Sequence, residues 1–144
     1  MRPAPHNISD YPHKMDIQTR WNDNDVYGHV NNAVYYTWFD TLVNNFLIEN
    51  GLLKIGKSET IGLVVDTACQ YFSPLSYPET VIAALRVAHI GTSSVRYEIA
   101  LFKRGETAAA AQGHFVHVYV DAKTRKPCPI SSQMCTVLAT LTKA

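Results

Sequence analysis

The run from Arg20 to Asp40, RWNDNDVYGHVNNAVYYTWFD, sets an acidic, asparagine-rich turn ending in Gly28-His29 directly before a long aromatic stretch. A carboxylate just ahead of a helix start lies near backbone N–H groups that have no partner inside the helix, and near the positive end of the helix dipole. Such a junction can hold a nucleophile or general base and, beside it, a donor for an oxyanion. Asp25 reads either as that reacting carboxylate or as a turn and capping residue, since Asp and Asn are favoured in such loops. Asp23 reads as structural, bonding turn amides. His29 either tunes Asp25 or binds substrate, or else locks the turn onto the helix. Tyr35, one turn further on, either reaches a substrate pocket or fills the core.

Other chemistries fare worse on spacing. Asp23 to Gly28 looks like the opening of a calcium loop, yet Tyr27 occupies a ligand position and Val34 stands where the bidentate Glu should be. His114 and His117 fall on opposite faces of a strand and share no metal. Cys69, without a histidine partner, reads as a small core residue. Nothing matches G-x-S-x-G, so a serine nucleophile has no support. No metal site and no cofactor are expected.

The elements that must position the turn follow from periodicity. Lys14 to Trp21 alternates as a strand, with Met15, Ile17, Thr19 and Trp21 on one face. From His29 to Asn50 the series Val30, Val34, Trp38, Leu42 and Phe46, widened by Tyr35, Phe39 and Val43, predicts a long, nearly all-buried helix ended by Asn50-Gly51. Four strands follow, at about 61–72, 80–90, 94–103 and 107–121, divided by Pro74, Pro78, Gly91 and Gly105. Their short connections favour antiparallel neighbours. Ser131 caps a short closing helix to Leu141. A strand, a buried helix and four antiparallel strands make an α+β domain in which a curved sheet wraps one helix. Residues 1–13, with Pro3, Pro5 and Pro12, read as an ill-ordered arm and residues 14–144 as a single domain. The small-sided run Ala108 to Ala111 reads as a sheet edge through which dimers could pair.

Composition bounds the partners. The 144 residues are 47% hydrophobic, enough for one proper core. Thirteen Lys and Arg against twelve Asp and Glu give a net charge of +1, which argues for neither nucleic acid nor an anionic membrane. Three cysteines without a C-x-x-C pair favour a reducing, cytoplasmic setting, and no apolar run has the length of a membrane span or signal peptide.

The residues Trp21-Asn22-Asp23-Asn24-Asp25-Val26-Tyr27-Gly28-His29-Val30-Asn31-Asn32, with Tyr35 and Phe39-Asp40 downstream, resemble the signature of hotdog-fold acyl-CoA thioesterases of the 4-hydroxybenzoyl-CoA thioesterase-like family. The likeness runs on through Ile90-Gly91-Thr92-Ser93-Ser94-Val95 and Val118-Tyr119-Val120-Asp121 to Pro127 and Pro129, covering about Lys14 to Ser131. It implies a hotdog fold, hydrolysis of an acyl-CoA to free acid and CoA, Asp25 as the catalytic carboxylate and the backbone N–H of Asn32 as the donor to the thioester carbonyl. It implies a homodimer or dimer of dimers with active sites at the subunit interface.

Several relatives place a histidine or tyrosine where this chain has Asn32, whose amide donates a hydrogen bond but is no acid. The aryl-CoA hydrolases carry basic residues at the turn equivalent to Gly91-Thr92-Ser93. Here substrate phosphates would fall to backbone N–H groups and the hydroxyls of Thr92, Ser93 and Ser94, or to Lys103 and Arg104. Two alternatives accompany this reading: a catalytically idle hotdog protein that binds acyl-CoA or serves assembly, and a thioesterase for acyl-carrier-protein substrates.

Overall fold

The structure, a computed structural model, describes residues 3–142, so the ends of the expected arm and domain, residues 1–2 and 143–144, lie outside the described residues. The main elements in chain order are β1 (His13–Gln18), α1 (Asn32–Glu49), β2 (Thr60–Tyr71), β3 (Thr80–Ile90), β4 (Ser94–Lys103), β5 (Ala111–Asp121) and α2 (Ser132–Ala139), with 3-10 turns at Ile8–Asp10 and Trp21–Asp23. The strands form one antiparallel sheet in the order β1-β3-β4-β5-β2. Bulges between Val64 and Asp66 and between Val87 and His89 interrupt the pairing, and such bulges bend a strand and increase its twist. The sheet thus curves around α1, the hotdog architecture expected.

α1 lays Tyr35, Trp38, Phe39, Leu42, Val43, Phe46 and Leu47 onto the sheet, where they join Leu85, Val95, Tyr97, Ile99, Leu101 and Phe115 in the main core. The helix starts at Asn32 rather than His29, because the Asn31 side chain accepts the Ala33 N–H at 3.0 Å and so fixes the cap. A cap of this kind stabilises a helix by about 1 kcal/mol. It stops at Asn50-Gly51 as the sequence predicts, with Gly51 at φ 70. The expectation of near-total burial is corrected: Thr37, Asp40, Thr41 and Ile48 lie exposed on the face turned from the sheet. Gly113 on β5 is what brings strand and helix together, since a Cβ there would stand 2.0 Å from the Ala68 carbonyl oxygen and 2.9 Å from the Phe39 ring.

Three further expectations change. β1 ends at Gln18, where Thr19 turns to donate its hydroxyl to the Glu79 carbonyl, so Trp21 does not share a face with Met15 and Ile17 but stands 79% exposed. Residues 3–13 are not a loose arm. Tyr11 is buried in a second cluster on the outer face of the sheet with Ala84, Ala100, Phe102 and Ala109, and the Arg86 guanidinium lies 4.6 Å from its ring centre. Gln112 holds the segment by accepting the His6 N–H at 2.7 Å and donating to the Ala4 carbonyl at 3.2 Å. Proline-rich composition concealed this because the anchors, Ile8 and Tyr11, are isolated apolar residues whose partners lie far along the chain.

Finally, Ala108 to Ala111 is no edge. Ala109 N–H donates to the His6 carbonyl, Ala110 N–H to Leu101, and Ala110 accepts from Phe72 and Ser73. The sheet's edges are β1 and β2.

Candidate active site

The turn ahead of α1 is fixed from below by Asp23, which is 1% exposed. Its carboxylate accepts the Arg20 N–H at 2.7 Å and the Arg20 guanidinium at 2.8 and 3.1 Å, while its carbonyl accepts the Asn31 N–H at 2.9 Å. The structural role read for Asp23 is therefore what its hydrogen bonds describe. From the side, the loop between β2 and β3 grips the same turn. Val30 N–H donates to the Leu75 carbonyl at 2.8 Å, the Ser76 hydroxyl to the Gly28 carbonyl at 2.9 Å, and Tyr77 N–H to the Asn24 side chain at 3.0 Å. Gly28 closes the turn at φ 79, a left-handed conformation that favours glycine.

Asp25 sits on this scaffold. Its Oδ1 accepts the Tyr27 N–H at 2.8 Å and, more weakly, the His29 N–H at 3.4 Å. Its backbone N–H donates to the His29 carbonyl at 2.8 Å. So the backbone of His29, not its exposed imidazole, ties the turn together. Among the described residues nothing donates to the second carboxylate oxygen, Oδ2.

Asn32 is the first residue of α1. Because the Asn31 side chain takes the N–H of Ala33, the N–H of Asn32 is left without an acceptor among the described residues. Carboxylate and open N–H meet in one pocket of about 370 Å³, lined by Asp25, His29, Val30, Asn32, Tyr35, Tyr71, Phe72, Ser73 and Pro74. Four of the sequence-selected residues, Asp25, His29, Asn32 and Tyr35, are thus brought together.

Sequence reasoning missed Tyr71 to Pro74. Tyr71 closes β2, donates its hydroxyl to the Asn32 carbonyl at 3.2 Å and stacks edge-on against Tyr35 at 4.9 Å. A tyrosine ending a strand just before Pro74 was the available signal, but only the tertiary path of β2 carries it to the helix start. Burial pushes the Tyr35 phenol up to about 12, against a hydrogen bond from the Leu75 backbone, and the Cys69 thiol up to about 11. Burial also raises the Tyr71 phenol. These three groups stay protonated at neutral pH.

Thr92, Ser93 and Ser94 lie elsewhere. They form the β3–β4 hairpin, where the Thr92 carbonyl accepts from Ile130 and the Ser93 carbonyl from Tyr119. Within one chain this is the opposite end of the sheet from Asp25, about 30 Å away along β3. Lys103 and Arg104 are already paired, with Glu79 and Asp16 respectively. Five other cations, Lys54, Lys57, Lys123, Arg125 and Lys126, are exposed on the turns before β2 and after β5 and make no ion pair among the described residues. No group of His, Cys, Asp and Glu suited to a metal occurs among the described residues, and no helix there is long and apolar enough to cross a membrane.

Residues 19–138 match the family model of the thioesterase-like superfamily. The PA5185 protein of Pseudomonas aeruginosa strain PAO1 superposes with a TM-score of 0.94 at 48% identity, covering 99% of each chain. The PA2801 protein of Pseudomonas aeruginosa gives a TM-score of 0.83 at 25% identity over 89% of this chain and 98% of its own. Slr0204 of Synechocystis, a 1,4-dihydroxy-2-naphthoyl-CoA thioesterase, gives 0.79 at 15% identity over 88% and 94%, a likeness of fold alone. No curated protein matches. With the turn-to-helix junction, the wrapped helix and the family match in agreement, this chain belongs to the thioesterase-like superfamily, as a hotdog-fold hydrolase of thioesters.

Proposed function

We propose that the protein hydrolyses acyl-CoA thioesters at the pocket shared by Asp25 and Asn32. The observation that carries this reading is an open helix-start N–H lining the same pocket as a carboxylate with one unoccupied oxygen. The thioester carbonyl oxygen accepts from Asn32 N–H, where the helix dipole favours the negative charge that develops on it. One such donor is worth roughly a hundredfold to a thousandfold in rate.

Asp25 Oδ2 then attacks the carbonyl carbon. The C–S bond breaks, CoA leaves as thiolate, and water hydrolyses the resulting anhydride to free acid and regenerated carboxylate. If Asp25 instead takes a proton from water, hydroxide adds to the same carbon and the same thiolate departs. Single turnover in ¹⁸O-water separates these routes, because only attack by Asp25 can leave label in its carboxylate. The neutral Tyr71 hydroxyl holds the helix start by its bond to the Asn32 carbonyl, and the Asn32 amide supplies no acid.

The site is completed by a second copy of the chain. β2 is a twelve-residue edge strand with Leu63, Val64 and Val65 exposed. Such an edge is a template for pairing with another chain. Antiparallel pairing of two β2 strands about their midpoint sets Tyr71 beside the partner's Thr60. The partner's Thr92, Ser93 and Ser94, and its unpaired Lys54, Lys57, Lys123, Arg125 and Lys126, then approach the Asp25 pocket. They supply the hydroxyls and positive charge that CoA phosphates need.

A thiol-release assay over short, medium and long fatty acyl-CoAs and aryl-CoAs is the test. Asp25→Ala is expected to lower turnover about a thousandfold without changing the fold by circular dichroism. Retained turnover would falsify the assignment. Stabilisation by acyl-CoA with no thiol release would mark an idle binder, and a strong preference for the carrier-bound ester would move the substrate to acyl-carrier protein.

A further inference from the structure

The outer face of the sheet, opposite the one that packs on α1, carries a cavity of its own, of about 340 Å³. Strand register places it. Gln70, Gln112, Ala100 and Ala84 stand side by side across β2, β5, β4 and β3, and Ala84 and Ala100 belong to the outer cluster with Tyr11. Two residues along each strand, Ala68, His114, Glu98 and Arg86 form the next row on the same face, with Arg96 beyond Glu98. Pro3 and His6 of the N-terminal segment close the cavity at one side. They are held there. Gln112, 4% exposed, commits its side chain to the His6 N–H and the Ala4 carbonyl, and the His6 ring meets the Tyr11 hydroxyl at 2.8 Å. The walls are thus formed in advance, as in most small-molecule sites, and the volume lies at the small end of their range.

The charges that line this cavity are not all matched. Glu98 accepts from Arg86 Nε at 2.7 Å, and the Arg86 guanidinium also lies over the Tyr11 ring, so both groups are engaged. Arg96 comes only within 3.9 Å of Glu98, beyond hydrogen-bond reach, and its side chain is 41% exposed. Two guanidiniums therefore face one carboxylate, and that of Arg96 makes no hydrogen bond among the described residues. The His114 ring between them and β2 is held by Asp66 at 2.9 Å. Across the cavity from Arg96, the Gln70 side chain makes no hydrogen bond among the described residues.

We infer that this cavity is a second ligand site, for a small organic monocarboxylate. The acid group pairs with Arg96, the apolar body lies over Ala68 and the His114 ring, and Gln70 closes the far end. One open guanidinium sets the charge. A single carboxylate gains a fork of charge-assisted hydrogen bonds, whereas a phosphate dianion would bring its second charge against Glu98. Gln70 and Tyr71 are neighbours on β2 and point to opposite faces, Tyr71 toward Asn32, so the sheet itself separates this site from the Asn32 pocket. The inference therefore does not depend on hydrolysis at Asp25.

Titration with sodium benzoate, read by NMR at the side-chain amides of Gln70 and Gln112, tests it, while the Asn32 backbone amide reports any binding in the other pocket. Saturable shifts are expected at Gln70 and Gln112. Arg96→Gln should weaken that binding by about tenfold or more and leave the Asn32 response unchanged. Arg96→Lys, which keeps the charge but not the fork, should fall between. Benzamide, the same ring without the charge, and inorganic phosphate should each bind more weakly than benzoate by about tenfold.

Shifts confined to Asn32, an unchanged affinity in Arg96→Gln, or benzamide binding as tightly as benzoate would each overturn the site. Phosphate binding more tightly than benzoate would overturn the monocarboxylate assignment. Light scattering on Arg96→Gln gives a last check: if the mass of the assembly changes, the cavity belongs to a contact between subunits and the inference fails.

Discussion

The two edges of the sheet are built on different plans. β1 is six residues long, and its outward side chains Lys14, Asp16 and Gln18 are each engaged, Lys14 with the Tyr11 carbonyl, Asp16 with Arg104 and Gln18 with the Pro78 carbonyl. β2 is twelve residues long and offers Leu63, Val64 and Val65 with Asp66 as its one charge. Short, charged, occupied strands are how sheets protect an edge from pairing, and a long apolar edge invites it. The contrast supports the proposed pairing through β2 and leaves β1 as the side kept closed.

The sharpest way to break this contrast is Val65→Glu. Val65 is the bulged residue that β5 does not pair, so a charge there costs the monomer little but places two carboxylates together in a paired β2 edge. Light scattering should show monomers, and kcat/KM should fall about a hundredfold, or about 2.7 kcal/mol in transition-state stabilisation. An intact, fully active assembly would count against pairing through β2.

A second contrast, of similar size but confined to acid pH, separates the cores beneath the two edges. His117, on β5 directly across from Val64 of β2, is 2% exposed among Tyr97, Phe115 and Tyr119, and neither ring nitrogen has a partner. Burial lowers its pKa to about 4, with Asp40 on α1 opposing. The folded state therefore resists protonation that the unfolded chain accepts near 6.5. The penalty is absent above pH 6.5, grows as pH falls toward 4, and reaches about 3 kcal/mol below that. Beneath the β1 edge, burial also lowers His13, but there Glu49 opposes it. Melting curves between pH 7.5 and 4 should lose their steep acid decline in His117→Phe, while His13→Phe should leave most of it.

The smallest effect belongs to the closed edge. Asp16→Ala removes a half-exposed ion pair with Arg104 and should change stability by less than about 1 kcal/mol. Mass and turnover should be unaltered. If Asp16→Ala instead produced larger assemblies, the charge on β1 would be guarding an edge as ready to pair as β2.

Much of the fold was legible in the chain because strand and helix periods are local. The alternation in 80–90 and 94–103 and the proline and glycine breaks place β3 and β4 at Thr80–Ile90 and Ser94–Lys103 in the structure as well. The mismatches arise where a distant residue competes for the same backbone. Trp21 leaves the strand because Glu79 and the Arg20–Asp23 pair turn the chain after Gln18. Tyr11 is buried because Phe102 and Arg86 wait for it on the outer face. Ala108 to Ala111 lies inside the sheet because residues 6, 72 and 101 reach it from three directions.

For the site, the sequence by itself determined a carboxylate and a helix start within one short segment, because the asparagine cap and the glycine turn that orient them are their immediate neighbours. What only the tertiary structure decided is everything that segment faces. The arrival of Tyr71 at the Asn32 carbonyl, the Leu75–Tyr77 loop that grips the turn and the distance of Thr92 to Ser94 depend on where β2 and β3 end in space. Those ends are set by the packing of a whole sheet around α1, which no local spacing encodes.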